Sequence, residues 1–205
     1  WMIDPYGTGF LTRGSDRVIV RKQTQTSPDQ SGNGQTTMGN FAAAWIDHGV
    51  APQQASYEFV IVPGATKERM TALMAGSDTL YQVLQKDAMA HIIQRGDWQG
   101  HVLFAANGSL ERGRILSNSA RCLVISGKVE GTNHLQVAVA DPSIDFGEGV
   151  SAVDEWVELE FHGIWSLDKA YDNVVVLDYR PDITRVKVRL SQGEPADFRL
   201  ISEKR

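Results

Sequence analysis

Residues 184–190 read TRVKVRL and residues 135–140 read LQVAVA. In the first stretch Val186, Val188 and Leu190 alternate with Arg185, Lys187 and Arg189, and in the second Leu135, Val137 and Val139 hold every other place. A period of two is that of a strand, whose successive side chains point to opposite faces, so each stretch has one face for a core and one for solvent. Working outward, the same pattern recurs at residues 17–23 (RVIVRKQ), 56–62 (SYEFVIV), 121–126 (RCLVIS), 156–161 (WVELEF), 173–177 (NVVVL) and 198–202 (FRLIS). Only residues 66–75 (TKERMTALMA) carry helical spacing: Thr66 can cap, Met70, Leu73 and Met74 share a face, and Gly76 stops the run. The expected fold is all-β, an antiparallel β-sandwich of about a dozen strands with one short helix.

The chain has 205 residues, 42% of them hydrophobic and 22% charged, with a formal charge of −5. That composition excludes disorder as the main description, and the length suits one large or two small domains. The break after the helix, at residues 75–79 (AGSDT), separates two strand-rich blocks, so the expected domains are 1–76 and 77–205. Residues 24–40 (TQTSPDQSGNGQTTMGN) show no apolar periodicity and are expected to form a long exposed loop. A single cysteine, Cys122, excludes an intrachain disulfide framework and leaves the compartment open. No apolar run approaches membrane-spanning length, and the acidic balance argues against nucleic acid as a partner. A chain that opens on Trp1 is expected to be a piece of something longer.

The candidate chemistry is sparse. The histidines at 48, 91, 101, 134 and 162 have no metal-ligand spacing, and Cys122 lies in an apolar strand as an inert thiol would. Asp141, Asp145 and Glu148 are best read as a solvated turn, and Gly7, Gly9 and Gly14 do not join a strand to a helix as a dinucleotide loop must. Asp47 and His48 are adjacent, so a strand would send them to opposite faces and a structural turn is the better reading. Arg185, Lys187 and Arg189 would stand on one face about 6.6 Å apart, either to meet an acidic polymer or to guard a sheet from edge pairing. Trp98, Trp156 and Trp165 have the flat faces that suit a pyranose, although in a sandwich each is more often packing. No catalytic residue, metal ligand or cofactor site is identified.

Residues 40–63 read NFAAAWIDHGVAPQQASYEFVIVP. With Trp45, Ile46, Asp47, His48 and Gly49 ending one strand, Pro52 in the link, and Ala55, Ser56, Tyr57, Glu58, Phe59 and Pro63 in the next, this block resembles polysaccharide lyase family 8, the chondroitin and hyaluronan lyases. Residues 80–93 (LYQVLQKDAMAHII) and 135–143 (LQVAVADPS) resemble that family's C-terminal β-domain, and the opening WMIDPYGTGFLT resembles a strand pair of its broad-specificity chondroitin ABC members. The resemblance implies that residues 1–76 end a central β-sandwich domain and residues 77–205 form a C-terminal one. The family cleaves uronate-containing glycosaminoglycans by β-elimination, with an Asn, a His, a Tyr and an Arg supplied by an N-terminal α/α-toroid, and none of those motifs matches a position in this chain.

The leading expectation is therefore the non-catalytic C-terminal β-sandwich region of a secreted or periplasmic bacterial lyase. It would meet acidic polysaccharide, chondroitin sulfate or hyaluronan, through its parent enzyme, and its partners would be the toroid and the rest of the central β-domain. The alternative is an independent carbohydrate-binding module using Arg185, Lys187, Arg189, Trp165 and Tyr171. An unrelated small enzyme built on Asp47, His48 or the other histidines is the third and weakest reading. The charge of −5 favours scaffold over independent binder, since a module gripping an anionic polymer would be expected to be basic.

Overall fold

The computed structural model describes residues 1–13, 17–106, 110, 112–142, 155–191 and 194–203. The chain divides into two compact units, Trp1–Asp78 and Thr79–Arg205.

In the first unit β1 (Met2–Ile3), β2 (Gly9–Arg13) and β5 (Glu58–Val62) form an antiparallel sheet in the order β1-β2-β5. Between β2 and β5 the chain runs out and back as β3 (Arg17–Pro28) and β4 (Thr36–Asp47), a two-stranded ribbon in register from Arg17 opposite Asp47 to Pro28 opposite Thr36. Most of residues 24–40 is thus strand, which corrects the expected loop. The reason is physical: nearly all of this ribbon is exposed, so Thr, Ser and Gln can occupy both faces and apolar alternation carries no signal. The true turn is short. The Asp29 carboxylate accepts from the Ser31 backbone N–H and hydroxyl at 3.2 and 2.6 Å, the Asp29 N–H donates to the Gln35 carbonyl at 2.9 Å, and Gly32 and Gly34 take left-handed φ of 71° and 69°.

The helix α1 (Lys67–Ala75) forms where expected, with the Thr66 hydroxyl accepting from the Arg69 N–H at 3.2 Å and Gly76 ending it. Of the three residues on its apolar stripe only Met70 is buried, while Leu73 is half-buried and Met74 exposed. Met70 sits where a side chain on β2 would be. A Cβ on Gly9 would lie 2.5 Å from the Met70 sulfur and 2.7 Å from the Ala65 Cβ, so the glycine lets the helix approach the strand.

The second unit is a two-sheet sandwich. Its strands are β6 (Gln82–Lys86), β7 (Ala90–Arg95), β8 (Trp98–Leu103), β9 (Ile115–Asn118), β10 (Cys122–Lys128), β11 (His134–Ala140), β12 (Glu155–His162), β13 (Trp165–Leu167), β14 (Val174–Arg180), β15 (Ile183–Leu190) and β16 (Ala196–Ser202). One antiparallel sheet has the order β13-β16-β11-β10-β8-β7-β6 and the other β14-β15-β12-β9. Leu135, Val137, Val139, Phe198 and Leu200 of the first face Val157, Leu159, Phe161, Val186 and Val188 of the second in a single buried cluster. Each such side chain contributes about 1.5–3 kcal/mol of burial. The alternation in 135–140 and 184–190 is the cause: strict period two gives each strand one buried face, apolar except for Thr184.

The all-β sandwich with one short helix is borne out, with sixteen strands among the described residues instead of about a dozen. The unexpected strands β6 and β8 have polar residues on their inner faces, namely Gln85, Gln99 and His101, all of them buried. In β8 burial alternates although hydrophobicity does not, and in β6 a register irregularity between Val83 and Gln85 breaks the alternation. Asp145 and Glu148 of the acidic turn, and Gly14, lie outside the described residues.

Candidate functional site

The cations Arg185, Lys187 and Arg189 project from the outer face of β15, opposite the buried Thr184, Val186, Val188 and Leu190. Because β15 lies between β14 and β12, the ladder does not guard a sheet edge, which corrects that alternative. Antiparallel register decides its neighbours. Arg189 faces Trp156, Lys187 faces Glu158 and Val175, and Arg185 faces Glu160 and Asp178. Across this grid Arg180 binds Glu160, and Arg185 reaches Asp178 at 2.8 Å and Glu158 at 3.8 Å. At the other end the Lys187 ammonium lies 5.1 Å, and the Arg189 guanidinium 5.9 Å, from the centre of the Trp156 ring, which is 40% exposed. The face therefore carries ion pairs along its length from Arg180 to Arg185, and at the Trp156 end two cations share one indole.

Trp165 and Tyr171 do not join that ladder. The Trp165 N–H donates to the Thr184 hydroxyl at 2.9 Å, on the face of β15 opposite Arg185; its indole N–H donates to the His162 carbonyl and the ring packs on the core. Tyr171 also packs against the core, edge-on to Phe198, donating its hydroxyl to Asp168 at 2.8 Å and accepting from the Arg199 N–H at 3.0 Å. Burial, first, and the hydrogen bond to Asp168 raise its phenol above the ordinary value. The third tryptophan considered, Trp98, covers Gly127, where a Cβ would fall inside the indole.

In the first unit, side chains from separate strands meet around a cavity of about 400 Å³ lined mainly by Met2, Phe10, Trp45, His48, Tyr57 and Phe59. Tyr57 stacks on Phe59 at 6.0 Å and His48 leans on Tyr57 at 6.2 Å. Asp47 is used elsewhere, with its carboxylate accepting from the Gly49 N–H at 3.0 Å and lying 3.6 Å from Arg17. It therefore forms a turn and not a proton relay with His48. Sequence reasoning placed Tyr57, Phe59 and Ile61 on one face but had no means of bringing Trp45 and Met2 to them.

The inner face of β8 and β10 holds a polar cluster that the sequence did not signal. The Arg114 guanidinium donates to the carbonyls of Ser126, at 3.0 Å, and Asp97, while the Arg114 N–H donates to the Gln99 side chain at 2.8 Å. Beside it His101 is 2% exposed, and neither ring nitrogen meets a hydrogen-bond partner among the described residues. Burial, first, and the neighbouring Arg114 charge lower its imidazole from 6.5 to about 4, against a weak opposing contribution from the Val124 backbone. Cys122 is likewise buried. Among the described residues no three His, Cys, Asp or Glu side chains converge as a metal-holding group, and no helix is long and apolar enough to cross a membrane.

This fold occurs in polysaccharide lyases. The solved chondroitin AC lyase of Streptomyces coelicolor, in complex with chondroitin sulphate, superposes with a TM-score of 0.65 at 15% identity, over 91% of this chain and 24% of that one. A Paenibacillus xanthan lyase gives 0.70 at 16% identity, over 96% of this chain and 19% of the other. The family model described as polysaccharide lyase family 8, super-sandwich domain, matches residues 1–74, a stretch that includes the block at 40–63. The chain is also 32% identical to a chondroitin sulfate ABC endolyase of Proteus vulgaris over 98% of its own length, and 32% identical to a chondroitin sulfate ABC exolyase of Bacteroides thetaiotaomicron over 74%. It spans 20% and 15% of the lengths of those two proteins.

Proposed function

We propose that the chain is the C-terminal β-sandwich region of a glycosaminoglycan lyase exported from a bacterial cell, and that its role there is structural. In this reading residues 1–76 complete a central β-sandwich and residues 77–205 form the C-terminal sandwich. The parent enzyme, with its α/α-toroid, performs the β-elimination on chondroitin sulfate or hyaluronan. No cofactor is assigned to the chain.

The observation that carries this reading is the apolar surface each unit leaves uncovered. On the outer face of the seven-stranded sheet Val102 pairs with Leu123, while Ile93 and Ile125 flank Gly100, and all four side chains are exposed. In the first unit Trp45, Tyr57, Phe59 and Ile61 are exposed as well. Contiguous apolar faces of this kind mark surfaces that a larger assembly covers. The relatives support the same reading, since nearly the whole chain aligns with about a fifth of the Proteus endolyase.

The groups needed for elimination are a base beside the uronate, a neutraliser for its carboxylate and an acid for the leaving oxygen. The histidines do not converge to supply them: His48 leans on Tyr57, His91 lies edge-on to Phe104 at 5.0 Å, and His101 is buried. The test is incubation of the chain with chondroitin sulfate or hyaluronan while the ultraviolet absorbance of an unsaturated uronate is followed. The expected result is no rise, and a rise that scales with chain concentration would overturn the structural role.

A further inference from the structure

We propose that Trp98, Gln136 and Arg199 form a saccharide-binding platform on the outer face of the seven-stranded sheet, with a pyranose ring of a polysaccharide laid on the indole. That the sugar belongs to a polysaccharide rests on the lyase reading above, whereas the platform itself rests on geometry.

Register builds the platform. Arg95 pairs with Trp98, Trp98 with Gly127, Gly127 with Gln136 and Gln136 with Arg199, so these residues cross β7, β8, β10, β11 and β16 in one row on one face. Neighbours in such a row stand one strand spacing apart, about 4.8 Å. Gly127 leaves a gap in the row and Trp98 fills it: a Cβ at Gly127 would fall among the indole atoms Cδ2, Cε2 and Cε3. The ring therefore lies across the glycine with one face on the backbone, and at 44% exposure its other face is turned to solvent. A flat indole held in this way matches the C–H face of a pyranose, and because the sheet already fixes it, little freedom is lost on binding. Next along the row the Arg199 Nε donates to the Gln136 Oε1 at 2.8 Å. That bond orients both side chains and leaves the Gln136 amide N–H groups and the remaining guanidinium donors for sugar hydroxyls or a uronate carboxylate. Carboxylates border this end of the row, since Asp168 accepts from the Tyr171 hydroxyl and Asp197 stands two residues from Arg199. Stacking on the ring, more than attraction of an anion, thus carries the site. The apolar patch of Ile93, Ile125, Val102 and Leu123 lies further along the same strands, so the row forms its polar border.

The experiment is a titration of the whole chain, labelled with nitrogen-15, with chondroitin sulfate hexasaccharide, followed by the amide and indole N–H resonances. Inorganic polyphosphate serves as a polyanion without a sugar ring. Trp98→Ala and Gln136→Ala/Arg199→Ala are compared with Trp156→Ala, which removes another partly exposed indole from the other sheet. Far-ultraviolet circular dichroism verifies that each variant stays folded, and the double variant keeps the ring in place should Trp98→Ala not fold. The expected result is a shift of the Trp98 indole resonance by the hexasaccharide, with those of Trp156 and Trp165 unmoved, and no such shift by polyphosphate. Affinity should fall at least about tenfold in Trp98→Ala and at least about threefold in the double variant, and change less than about twofold in Trp156→Ala. No binding by the unaltered chain, an unmoved Trp98 resonance, the same shift with polyphosphate, or equal weakening in Trp98→Ala and Trp156→Ala would overturn the proposal. Each of these is distinct from failure of the lyase-scaffold reading, which shows as unsaturated product formed by the chain alone.

Discussion

Acidification should destabilise the second unit through one side chain, His101. The imidazole is almost wholly enclosed, beside a guanidinium, and its pKa is lowered from 6.5 to about 4. In the unfolded chain it returns to its ordinary value, so between these limits the unfolded state binds a proton that the folded state does not. Stability therefore rises with pH in this window. The contribution is complete above pH 6.5, is lost progressively as pH falls towards about 4, and levels off below that. At 1.36 kcal/mol for each tenfold step in proton affinity, the whole gap is worth about 3 kcal/mol, and descent to pH 5 costs about 2 kcal/mol. The assay is urea denaturation of the unaltered chain and of His101→Leu at several values between pH 7.5 and 5. Leucine keeps an apolar side chain of similar reach and cannot titrate, so the difference between the two pH profiles isolates His101 whatever the absolute cost of the substitution. The unaltered chain should lose about 2 kcal/mol more than the variant over this range. Parallel profiles, within about 0.5 kcal/mol, would refute the assignment of a buried neutral imidazole.

Other perturbations test the packing. Gly9→Ala drives a methyl group into Met70 and Ala65, and should destabilise the first unit by about 1–3 kcal/mol, read as a lower denaturation midpoint, with Gly9→Ala/Met70→Ala recovering part of the loss. Phe198→Ala removes a ring that is 1% exposed at the centre of the sandwich and should cost about 3–5 kcal/mol by the same measurement. Asp87 accepts from the N–H groups of Met89 and Ala90 at 2.8 and 2.9 Å and from the Gln85 side chain, bonds that hold its carboxyl below the usual range. Asp87→Ala should therefore speed amide exchange at Met89 and Ala90. Because the folded pKa is depressed, the stabilisation exists above the ordinary carboxylate pKa and disappears as pH falls through the folded value.

Much of the architecture was legible in the sequence because one face of each main strand is buried and the other is not. In residues 135–140 and 184–190 the two faces differ in every residue, so the strand, its inner face and its place in a sandwich follow from the order of amino acids alone. The cap at Thr66 and the stop at Gly76 are equally local, and they mark both ends of α1. The block at 40–63 carried the family resemblance through short-range identity of residues. Where burial and polarity part company, the sequence was silent. The ribbon of β3 and β4 has no wholly buried face to imprint a pattern, and β8 turns Gln99 and His101 inward.

The candidate surfaces belong to a different level. Arg185, Lys187 and Arg189 were visible as a row because they share one strand, but their different circumstances depend on which residues β12 and β14 bring alongside. A one-residue change of register would exchange Trp156 for a core residue and leave the cations without their indole. Trp165 and Trp156 are equally plausible platforms as letters; only the pairing that sends one to the core and the other to the outer face separates them. The sequence by itself determined which segments are strands and which faces are apolar, since both depend on neighbours along the chain. Tertiary structure decided which residues flank each cation and which ring lies under two of them, because those depend on residues that only sheet pairing brings within reach.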